Sequence, residues 1–212
     1  MRQYIVICEG RSEYVYLERL QSFLDSQAES WDVPLKLFPK IARNPDGSEK
    51  GGGDYKNVIT GYKDNRNRNK KSKIEVWVDY DIYLRNDRSN LSNYRSKTTG
   101  IPDFKFSFHN FEDFLVLHMA NHLIEKWHTL VEPTGHFVTP LHSKAYVPIF
   151  ENIIPGYRKG DLSPDFISKE SLLRLKQNIQ TPIIRPTVDA SFGSFAEFLI
   201  GQIDEAYPTL FF

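Results

Sequence analysis

Glu9 stands directly after the apolar run 4–8, and Asp79 and Asp81 close a second apolar run that begins at residue 74. Both runs read as buried strands, and in an open α/β sheet ligands bind outside the carboxyl ends of the strands. Side chains alternate along a strand, so Asp79 and Asp81 share a face with their Cα atoms about 7 Å apart. Carboxylates gathered without a counter-ion repel one another and lose hydration, and a divalent cation relieves both costs. An oxygen-only donor set with no soft ligand favours Mg²⁺ or Mn²⁺ over zinc. The competing reading makes Asp79 and Asp81 solvated strand-end acids and Glu9 an anion at a helix start.

Other residues carry weaker signals. His118 and His122 have the i, i+4 spacing of a zinc site but lack the adjacent glutamate of H-E-x-x-H. A buried His118 that orients an acid is the better functional reading, against a structural histidine. Segment 63–73 holds Lys63, Arg66, Arg68, Lys70, Lys71 and Lys73 against the single acid Asp64, a run suited to a phosphate backbone or merely to a solvated face. The glycines at 51–53 precede no phosphate-loop lysine, and no serine sits in G-x-S-x-G. Cys8 lies inside an apolar run, which argues against a nucleophilic thiol.

The elements that must position these residues alternate between strand and helix. After the strand at 4–8, Ser12 is suited to cap a helix with Glu13 in its first turn, and apolar positions 16, 17, 20, 23 and 24 carry that helix to about residue 27. A short strand is expected at 35–38, a breaker-rich loop at 44–53, a helix over about 54–67 and a strand at 74–79. Phenylalanines at 104, 106 and 108 alternate as in a third major strand, and a helix follows over about 111–127. Residues 129–160 hold four prolines and show no clear period. Helices are expected over 169–178 and 194–206. The pattern predicts one α/β domain spanning 1–212, with a mostly parallel, Rossmann-like sheet flanked by helices. Its core lies at about 1–128, and the remainder, 129–212, packs on it as a C-terminal extension with additional helices.

Composition bounds the function. With 212 residues, 40% apolar, 14% aromatic, and Lys plus Arg equal to Asp plus Glu at 27 each, the chain can build a core and has no bulk positive charge for wrapping nucleic acid. One cysteine excludes an intrachain disulfide framework and a cysteine zinc cluster. No long apolar stretch or leader pattern is visible, so the expectation is a soluble cytoplasmic protein with no membrane partner.

Four blocks in order resemble a known family. Glu9-Gly10-Arg11-Ser12-Glu13, the Asp79-Tyr80-Asp81 strand end, the segment from Ser107 through Phe111, Glu112 and Phe114 to His118, and Gly156-Tyr157-Arg158-Lys159-Gly160 are together similar to the RloB-like branch of Toprim-related proteins. His109-Asn110-Phe111 and Phe114 stand where that branch has a proline and a tryptophan. The resemblance implies a Toprim-like fold in which Glu9 is an acid/base residue or metal ligand and Asp79 and Asp81 hold Mg²⁺. It makes Glu13 a catalytic candidate, as an additional ligand or a support behind the ligands, against the alternative of a helix-start anion; it makes Glu112 and His118 catalytic site candidates, and Arg158 and Lys159 a phosphate clamp. It further implies a nuclease acting on DNA or RNA, in a prokaryotic antiviral defence setting beside a separate ATPase. The rival expectations are a non-catalytic or regulatory binding module in a larger complex, and a nucleotide phosphohydrolase or transferase.

Overall fold

The computed structural model describes residues 1–28, 33–42, 55–69, 72–80, 103–107, 109–138, 141–179 and 193–211. Its strands β1 (Arg2–Cys8), β2 (Leu35–Ile41), β3 (Lys73–Val78), β4 (Phe104–Phe106) and β5 (Gly193–Ser194) form one sheet in the order β2-β1-β3-β4-β5. Every neighbouring pair is parallel. The helices are α1 (Arg11–Ser26), α2 (Tyr55–Arg68), α3 (Phe111–Val116), α4 (Asn121–Val131), α5 (Ser143–Phe150), α6 (Lys169–Asn178) and α7 (Phe195–Ala206). The expected α/β architecture is therefore the one observed, with the sheet wholly parallel.

Alternation along β1 explains why that strand is apolar throughout. Tyr4, Val6 and Cys8 enter the larger core beneath α1, together with Tyr16, Leu17, Leu20 and Leu24. Ile5 and Ile7 face the opposite way, into a smaller core with Val58 and Tyr62 of α2. A strand covered on both faces cannot alternate apolar with polar. The chain passes from β1 through α1 to β2 on one side and returns through α2, on the opposite face, to β3 on the other, so the topological switch point lies between β1 and β3.

Several boundaries depart from the sequence expectation. Gly10, not Ser12, is the N-cap of α1; Ser12 is buried in the first turn, and the Glu13 carboxylate accepts the Gly10 N–H at 3.0 Å. The helix expected over 111–127 is two helices, α3 and α4. Asn178 Nδ2 donates to the carbonyls of Leu117 and Met119, at 2.9 and 3.0 Å, and so satisfies acceptors that the break releases. The region expected only to extend the domain also contributes to the sheet, because β5 pairs with β4. Phe195, at the start of α7, stacks on Trp77 of β3 with ring centroids 3.9 Å apart. Within 129–160 the chain forms a short 3₁₀ turn, Glu132–Thr134, and then α5. The expected loop 44–53 and Phe108 lie outside the described residues.

Candidate functional site

The carboxyl ends of three adjacent strands carry the acids. Glu9 follows β1 and stays in register long enough for its N–H to donate to Trp77 O at 3.0 Å. Asp79 follows β3, and its N–H donates to Glu9 Oε2 at 2.9 Å. The first and second acidic blocks, 70 residues apart in sequence, thus meet at the switch point. Glu9 is half-buried and Asp79 is buried. Asp81 lies outside the described residues.

Glu13, at the third position of α1, and Glu112, in the first turn of α3 after β4, complete an acidic edge, and both are buried. Burial raises the Glu13 carboxyl above its ordinary range; backbone donors and Lys159 oppose the shift, and Glu112 adds to it. Burial also raises Glu112, against the charge of Lys159 and hydrogen bonds from Tyr157 and Tyr146. The Tyr157 hydroxyl donates to Glu112 Oε1 at 2.7 Å, while Oε2 is buried without a hydrogen bond of normal geometry. Lys159 Nζ donates to the hydroxyl of buried Tyr146 at 2.7 Å.

This environment fixes the sign of one pH effect. The folded pKa of Glu112 lies above its unfolded value, so its relative stabilisation is complete below the unfolded pKa of about 4.3 and is lost as pH rises through the folded pKa. A glutamine does not titrate. The melting temperature of Glu112→Gln is therefore expected to gain on wild type between about pH 4.5 and pH 8, measured as paired thermal melts.

Sequence reasoning missed the group that holds Glu112 in place. Asn110 caps α3 by accepting the Asp113 N–H at 3.1 Å, and Asp113 Oδ2 accepts the Asn110 N–H at 3.2 Å. Trp127 Nε1 donates to Asp113 Oδ1 at 2.7 Å, and His136 Nε2 lies 3.0 Å from Oδ2. The Leu141 N–H donates to His136 Nδ1, which places the ring proton on Nε2, facing the carboxylate. Burial works to raise Asp113, but His136, His109 and the Trp127 indole outweigh it and hold the carboxyl below its usual range. The Asn110–Asp113 spacing of a capping box was the available signal; the partners Trp127 and His136 carry no local one.

His118 is not brought to the acidic edge. Its Nε2 lies 2.9 Å from Tyr16 Oη and its Nδ1 is 3.3 Å from Phe114 O, so the neutral ring donates to the carbonyl and accepts from the tyrosine. Burial lowers its pKa to about 3. The ring packs edge-on to Tyr16 and Phe114, a structural role. Tyr16→Phe removes the hydroxyl that donates to Nε2 and is expected to cost about 1–3 kcal/mol in urea unfolding.

The basic residues divide. Lys73 opens β3 and pairs in register with Tyr4, near the start of β1, which puts it at the opposite end of the strands from Asp79, about 20 Å away along the strand. Arg66 and Arg68, in the last turn of α2, lie toward that same far end, and Lys63 is exposed on the same helix. Lys70 and Lys71 lie outside the described residues. Arg68 lines a cavity of about 900 Å³ beside β2 together with Arg11, Lys40, Glu18 and Asp64. Arg158 and Lys159, by contrast, sit on the turn that reaches the acidic edge, beside Tyr157.

No family model, curated protein or solved structure matches the chain. Among the described residues no helix is long and apolar enough to cross a membrane, and no three acidic, histidine or cysteine side chains converge as a complete metal cage. The arrangement present, with Glu9 Oε2 accepting the Asp79 N–H, brings two acidic residues, hard oxygen donors by type, to the ends of adjacent strands. That donor set fits a largely hydrated cation of the Mg²⁺ type, which is held by one or two carboxylates plus water and substrate phosphate.

Proposed function

We propose that the protein is a Mg²⁺- or Mn²⁺-dependent enzyme that cuts phosphodiester bonds in nucleic acid, and that it is a Toprim-related protein of the RloB-like branch. The observation that carries this reading is the 2.9 Å bond from the Asp79 N–H to Glu9 Oε2, which joins two acidic strand ends at the switch point of a parallel sheet. Glu9 and Asp79, with Asp81, would hold the metal, which when bound neutralises phosphate charge and lowers the pKa of water. Lys159 and exposed Arg158 attract the phosphate to an otherwise acidic edge. Glu13 and Glu112 hold a proton more readily than ordinary glutamates, which suits them to general acid work.

The resemblance further implies a separate ATPase partner and a role in defence. One observation favours a second reading, hydrolysis of a nucleotide: Arg66, Arg68 and Lys73 lie toward the far end of the sheet from the acids, so a long polyanion would have to bridge the molecule to use both. Incubating the purified chain with labelled DNA, RNA, transfer RNA and nucleoside triphosphates, with Mg²⁺, Mn²⁺ or EDTA, separates the two. Metal-dependent shortening of a polynucleotide supports the first; phosphate release from nucleotides alone supports the second.

A further inference from the structure

The cavity of about 900 Å³ beside β2 has one wall on α1 and the other on α2, with Pro39, Lys40 and Ile41 between them. Its α2 wall extends from Asn57 to Arg68, which at 1.5 Å per residue is about 16 Å of helix. Because α2 runs back against the strand direction, Arg68 marks the end far from the acids, while Arg11, two residues after Glu9, marks the end beside them. Three cations line this cleft, Arg11, Lys40 and Arg68, all exposed, and none forms an ion pair among the described residues. Lys40 donates instead to Asn65 Oδ1 at 2.9 Å, and Asn65 Nδ2 is tied to Gly61 O at 2.8 Å, so an amide orients the ammonium without cancelling its charge. Two acids share the lining: Glu18, which accepts the Tyr14 hydroxyl at 2.8 Å, and Asp64, one turn before Arg68.

Register places Phe38 on the same face of β2 as Lys40, the face of Ile5 and Ile7, and Phe38 is 46% exposed there. A row of uncommitted cations beside an exposed aromatic ring suits a flexible single strand, whose phosphates follow the cations while a base stacks on the ring. The free edge of β2 does not suit an added peptide strand. Gln21 already occupies it, accepting the Leu37 N–H at 2.7 Å and donating to Leu35 O at 3.2 Å, and Pro39, next on that side, has no N–H to offer. We propose that the cleft between α1 and α2 holds a single-stranded polynucleotide, with Arg11, Lys40 and Arg68 on its phosphates and Phe38 against a base, and leads it to Glu9 and Asp79. This rests on the polynucleotide-cutting reading of those acids and adds the form of the substrate. It also gives a polyanion a continuous path from the acidic edge toward the cations at the far end of the sheet.

Fluorescence anisotropy on the full-length chain in EDTA, where binding is read without cutting, tests it. The probes are labelled single-stranded DNA and RNA of about 12 nucleotides and the matching duplexes, over a range of salt. Each variant is first shown to melt with wild type. Single strands are expected to bind more tightly than duplexes. Lys40→Gln and Arg68→Gln are each expected to weaken single-strand binding about fivefold and to lower the slope of log affinity on log salt by about 0.7, the loss of one phosphate contact. Phe38→Ser is expected to weaken it about tenfold with the slope unchanged. Arg174→Gln, which removes an exposed cation from α6, away from the cleft, is expected to bind as wild type. Binding that none of the three cleft variants weakens overturns the proposal, and if metal-dependent cutting persists the reading of Glu9 and Asp79 stands. Duplexes that bind as well as single strands, or a mononucleotide that competes as well as the oligonucleotide, also overturn it. Binding that the cleft variants weaken, in a chain that cuts no polynucleotide with metal, supports the cleft and overturns the cutting reading.

Discussion

Asp113→Ala is expected to destabilise the protein by about 3–5 kcal/mol, a loss of about 10 °C in melting temperature for a chain of this size. The carboxylate is fully buried and accepts from Trp127, His136 and the Asn110 backbone, so truncation orphans three donors at once. It also releases the first turn of α3, which carries Glu112. The pH dependence has a definite sign. Asp113 is held below its usual pKa, so the stability it confers is present above the unfolded value of about 3.9 and is lost as pH falls through the folded one. Urea midpoints across pH 2.5–7 (about the range where such a group titrates) are expected to fall for wild type on the acid side, with that component missing in Asp113→Asn. An alanine variant within about 1 kcal/mol of wild type would show that the network does not hold the fold together.

Glu9→Gln is expected to reduce metal-dependent cleavage by about a thousandfold or more while leaving the melting temperature within a few degrees. Glutamine keeps an oxygen to accept the Asp79 N–H and so preserves the junction between β1 and β3; what it loses is the negative charge. Rate and melting temperature must be read together, since a variant that loses both tests only stability. A fully active, folded Glu9→Gln would remove Glu9 from the chemistry.

The strand ends were legible in the sequence because buried parallel strands are continuous apolar runs, and a charged residue at the close of such a run marks the sheet edge. Glu9 and Asp79 follow from that rule alone; Glu112, in the first turn of a helix, was singled out by the resemblance. Lys159 belongs to the edge through a turn whose two left-handed glycines, Gly156 and Gly160, give no strand or helix period to read. His118 misled for the opposite reason: its spacing put it on a helix face with chemical neighbours, but the second partner of its ring is Tyr16, 102 residues away. The break between α3 and α4 was equally hidden, because the side chain that stabilises it, Asn178, comes from α6. Lys73 was grouped with the site by its nearness in sequence to Asp79, yet a strand carries its two ends to opposite edges of the sheet.

The most direct test of the switch-point site is the rate at which purified wild type and Asp79→Asn cut a labelled polynucleotide in Mg²⁺ or Mn²⁺ and in EDTA, with both proteins shown to be folded. The expected result is cutting by wild type with metal only, and none by Asp79→Asn. Cutting that survives EDTA, or that Asp79→Asn retains in full, would contradict a metal-dependent site built on Glu9 and Asp79.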